Sequence, residues 1–80
     1  MRLFYLSFGD PVTGKFLGAC FVEAESFGEA IEVSWDKGCN PGGQVKGFPV
    51  DVIPPAVFGV LDRLLSQKEL EATFGETERF

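Results

Sequence analysis

Glu25 to Val45 reads ESFGEAIEVSWDKGCNPGGQV, and this stretch decides the fold. Ser26 followed three residues later by Glu29 is a capping box, so a helix starts at Phe27. Phe27, Ala30, Ile31, Ser34, Trp35 and Gly38 recur at helical period on one face, which places Trp35 in the core. Glu25, Glu29, Glu32 and Asp36 form an acidic stripe on the other face. Gly38 stands where a left-handed residue closes a helix. Asn40-Pro41-Gly42-Gly43 fits a type II turn, with proline second and glycine third. A phosphate-binding loop would run into a helix, whereas this one runs into the apolar Gln44–Val50. GCNPGG is therefore read as a corner, although the Gly42 and Gly43 amides beside Lys46 could form a small anion nest.

Upstream, Arg2–Phe8 and Phe16–Glu23 are strands joined by the turn residues of GDPVTGK, so they form a hairpin. Both are almost continuously apolar, as in strands covered on two faces, and 80 residues cover both with difficulty. Downstream, Gln44–Val50 is a third strand that ends before Ile53-Pro54-Pro55. From Pro55, the stripe Val57, Val60, Leu61, Leu64 and Leu65 predicts a second helix. Ser66 with Glu69 opens a third, from Gln67 to about Thr73. The expected fold is α+β: ββαβ with a three-stranded antiparallel sheet of order 2-1-3, a crossover helix and short carboxy-terminal helices. Residues 1–75 make one domain, and 76–80 form a fraying tail.

The chain carries seven Lys and Arg against twelve Asp and Glu, a net charge of −5, and it is 45% hydrophobic with nine phenylalanines. That is too apolar for disorder, and the surplus predicts a homo-oligomer. The basic residues are scattered, which argues against direct nucleic-acid binding and against an anionic membrane surface. The amino terminus is too short for an export signal, and no run approaches a membrane span, so a cytoplasmic protein with reduced thiols is expected.

There is no histidine, so the usual activation of a serine or cysteine nucleophile is missing. Cys20 lies inside a strand and is expected in the core, Cys39 on an exposed corner. No spacing suggests a metal site, no cofactor is implied, and no catalysis is expected. Tyr5 and Trp35 carry polar handles that suit a pocket or an interface.

The run FYLSFGDP to GCNPGGQV, with RLLSQKELE after it, resembles a small phage and prophage protein family over nearly the whole chain. No functional residue carries over from that resemblance. It implies an accessory protein acting in the host-cell cytoplasm, in the manner of counter-defence factors. The first expectation is a homo-oligomer that sequesters a small nucleotide-type immune signal. Arg2, Lys46 and Arg63 would meet phosphates, Tyr5 or Trp35 would stack on a base, and Gly42 and Gly43 would cap an oxygen. The alternative is an acidic inhibitor whose Glu25, Glu29, Glu32 and Asp36 dock on a basic site of a host nucleic-acid-binding or defence enzyme. A structural or regulatory interaction domain is the third reading.

Overall fold

The computed structural model describes residues 2–51, 53 and 55–74. Strand β1, Arg2–Gly9, is central and buries both of its faces. Alternation sends Phe4, Leu6 and Phe8 to one side, and Leu3 and Tyr5 to the other. Strand β2, Phe16–Ala24, pairs antiparallel with β1 and sets Phe21 opposite Tyr5. Strand β3, Gln44–Val50, pairs antiparallel along the other edge and sets Phe48 opposite Tyr5. The sheet order is β2-β1-β3, the expected one.

Helix α1, Phe27–Asp36, covers the first side. The Ser26 hydroxyl accepts the Glu29 N–H at 3.2 Å, as the capping box requires. The Glu29 carboxylate turns back to the Glu25 N–H, also at 3.2 Å. The buried stripe of α1 is not the expected one. Ala30 and Ser34 face the sheet, with Val33 packed beside them, while Trp35 is 58% exposed. Small side chains let the helix axis approach the strands, and an indole at that point would hold them apart.

The second side corrects one further expectation. The predicted helix from Pro55 is only a 3-10 turn, Pro55–Gly59, followed by an irregular segment. Tertiary hydrogen bonds explain the change. The Asp62 N–H donates to Phe21 O at 3.0 Å, and Leu65 exchanges two backbone bonds with Ala19, at 2.7 and 2.9 Å. Reaching both points requires a bend, and Asp62 takes a φ of +60° to make it. The apolar stripe still faces inward for the most part: Val57 and Leu65 are fully buried, and Val60 and Leu61 pack against them. Leu64 stays partly exposed. Both sides of β1 are thus covered by elements of this chain.

The third predicted helix is present as α2, Gln67–Phe74. Its capping box is reciprocal, with Ser66 N–H to Glu69 Oε1 and Glu69 N–H to Ser66 Oγ, each 3.2 Å. The expected fraying of 76–80 falls outside the described residues.

Candidate functional site

The GCNPGG corner is held from within. Gly38, at φ +73°, donates to Trp35 O at 3.1 Å, and the Cys39 N–H donates to Ser34 O at 3.0 Å, which closes α1 with a left-handed cap. The buried Ser34 hydroxyl donates to Ile31 O at 2.6 Å and accepts from Asn40 Nδ2 at 3.0 Å. Asn40 Oδ1 in turn accepts the Gly42 N–H at 2.8 Å. Gly42 has the positive φ that the expected turn requires. Gly43 does too, and any Cβ there would strike Gly9 O and Leu17. With its amide committed to Asn40, Gly42 serves the fold rather than an anion.

Cys39 is buried, contrary to the expected exposure, because the cap turns it inward beside Cys20. The two thiols lie in one buried cluster. Burial pushes both above their ordinary value of 9.0, for Cys20 reinforced by Cys39 itself. Neither offers an accessible thiolate at neutral pH. Among the described residues no three His, Cys, Asp or Glu side chains gather as a metal site.

The seven residues proposed to meet a nucleotide do not all line one groove. Arg2 lies 4.0 Å from Asp51 with its guanidinium 5.8 Å from the centre of the Phe4 ring. Tyr5 is buried between Phe21 and Phe48, with ring centres at 5.2 and 5.5 Å. Burial raises its pKa, a shift opposed by a hydrogen bond with Ser7. Arg63 is bound to Glu69 at 3.0 Å, and Trp35 lies out on α1. Gly42 and Gly43 belong to the corner.

Lys46 alone lines a groove, of about 210 Å³, with Ser7, Asp10, Phe16 and Gln44. The groove occupies the hairpin end of the second sheet face, short of where Leu65 and Val57 lie. Sequence reasoning passed over Ser7 and Gln44. Ser7 and Lys46 stand opposite one another only through the β1–β3 register, which no single segment reveals. Asp10 sets a negative charge at the groove, because the N–H groups of Thr13 and Val12 bind its carboxylate and lower its pKa.

The other candidate is the outer surface of α1. Phe27, Ile31 and Trp35, at four-residue spacing, form a ridge between the buried stripe and the acids. Glu25, Glu29, Glu32 and Asp36 are all exposed along its far flank. Among the described residues no helix is long and apolar enough to cross a membrane. No family model, curated protein or solved structure matches this chain. Function is therefore read from these two surfaces.

Proposed function

We propose that this protein is a non-catalytic docking domain that presents α1 to a basic site on a protein partner. The observation that carries the reading is Trp35, 58% exposed on a ridge bordered by Glu32 and Asp36. More than half of that residue stays exposed in the fold. An exposed tryptophan is the side chain that contributes most when an interface closes over it. The acids beside it steer a basic partner and reject acidic ones. In a phage setting of the kind the corner and carboxy-terminal motifs resemble, that partner is a host nucleic-acid-binding or defence enzyme.

The test is capture from host lysate by wild type, Trp35→Ala and the triple change of Glu29, Glu32 and Asp36 to Lys. The captured protein is then purified and titrated. A drop of at least about tenfold in affinity is expected for either variant. Capture that both variants retain at full strength rejects the reading.

A second reading rests on the groove. Lys46 supplies a cation, Phe16 a ring face, and Ser7 and Gln44 hydrogen-bonding groups, the set that a small phosphate-bearing aromatic ligand of the nucleotide class requires. A thermal-shift panel of nucleotides checks it. A rise in melting temperature that Lys46→Ala abolishes supports sequestration, and no rise with any nucleotide removes it.

A further inference from the structure

The two edges of the sheet differ in what their backbones meet. On β2, the outward-facing groups are those of Ala19 and Phe21, and the Asp62–Leu65 segment bonds them. That observation also sets the phase of the whole sheet. If Ala19 and Phe21 face outward, Leu3, Tyr5, Ser7 and Gly9 of β1 turn their groups toward β3. Their partners Val50, Phe48, Lys46 and Gln44 then face inward, leaving Val45, Gly47 and Pro49 along the outer edge. Pro49, which has no N–H, sits in the phase where none is needed by β1. Among the described residues no backbone bond reaches the outer groups of Val45, Gly47 or Pro49.

We propose that two copies of this chain pair antiparallel through their β3 edges, about a two-fold axis at Gly47, to form a six-stranded sheet. This register overlays the whole of Gln44–Val50 on itself. Gly47 exchanges two N–H to carbonyl bonds with its counterpart, and each Val45 N–H meets the carbonyl of Pro49 in the other copy. Lys46, the one charged side chain of β3, then lies directly across from Phe48 rather than from a second Lys46. A shift of the register by two residues would set two Lys46 ammonium groups face to face. The Lys46–Phe48 pairing instead sets a cation beside an aromatic ring that is 39% exposed in the single chain. On the α1 side, Gly47 has no side chain to obstruct the axis, and Phe27 already reaches over it. The overall charge of −5 per chain does not oppose this contact locally, because the strand holds no acid.

Pairing also alters the groove. Phe48 and Val50 of the second copy come beside Lys46 and Gln44 on the same sheet face, so the open side gains an apolar wall. This consequence rests on the groove reading, whereas the dimer stands on the strand edge alone.

The test measures mass by sedimentation equilibrium on the unaltered protein, then mixes Lys46→Cys with Phe48→Cys under mild oxidation. The expected result is twice the chain mass and a mixed disulfide that forms far faster than with either variant alone, because directly opposed residues lie within bridging distance. A single-chain mass at every concentration up to about millimolar overturns the proposal on the unaltered protein, whatever the variants do. A two-chain mass without the mixed bridge overturns it as well, since the copies then meet elsewhere. A nucleotide panel run on the same dimer tests the groove separately: no thermal shift removes that ligand and leaves the dimer standing.

Discussion

The two faces of one sheet are covered in different ways. Over Phe4, Leu6 and Phe8 lies a helix whose start and stop are set by nearby residues. Over Leu3, Tyr5 and Phe21 lies a segment with little regular structure of its own, pinned by three backbone bonds to β2 and by Val57 and Leu65. Both faces are dry. A strand flanked by two such covers needs only one of them to be locally encoded; the other can be assembled from long-range contacts.

The sharpest way to break this comparison is to remove Leu65. Leu65→Ala should cost about 2–5 kcal/mol in urea unfolding, as large as Leu6→Ala on the helix side. A loss below about 1 kcal/mol would mean that the irregular cover docks loosely and the sheet stands mainly on α1. Next comes the corner. Gly43→Ala forces a Cβ into Gly9 O at a positive φ and should cost more than about 1 kcal/mol, whereas Gly42→Ala meets no neighbour and loses only the cost of its φ. Equal losses would show that contact with β1 does not matter.

The two capping boxes sharpen the comparison further. Ser26→Ala and Ser66→Ala should each cost about 1 kcal/mol in helix stability. The first should lower global stability in urea. The second should appear mainly as faster amide exchange in α2, where residues 67–72 are exposed or only partly buried. The same size of global loss from both would mean that α2 is part of the single cooperative unit.

Near neutrality the smallest effect comes from titration. Cys20, Cys39 and Tyr5 all have pKa values raised by burial, from ordinary values of 9.0, 9.0 and 10.0. Their neutral forms are favoured in the fold, so their contribution is complete below about pH 9 and declines as pH rises above it, where the unfolded chain can ionise. Urea midpoints at about pH 8 and about pH 10 should differ, with the folded form weaker at the higher pH. Cys20→Ala should flatten that slope on the α1 face while leaving the Tyr5 part. At any pH, Trp35→Ala should change stability by no more than about 0.5 kcal/mol, since its indole packs on little.

What local sequence determined is the order of elements, both capping boxes, the corner and the sheet order, because each depends on residues within a turn or two or on the short reach of a connection. Ser26 with Glu29, Ser66 with Glu69, and Gly38 are legible for that reason. Tertiary structure decided the rest. It rotated α1 so that Ala30 and Ser34, not Trp35, meet the sheet, because close packing selects small side chains over hydrophobic ones. It bent Asp62–Leu65 away from a helix, because open carbonyls and amides on β2 offered better partners than the helix's own. It buried Cys39, scattered Arg2, Trp35 and Arg63, and gathered Ser7, Phe16 and Lys46 around one groove. That last grouping depends on which residues of distant strands stand opposite one another, and register is a property of the assembled sheet.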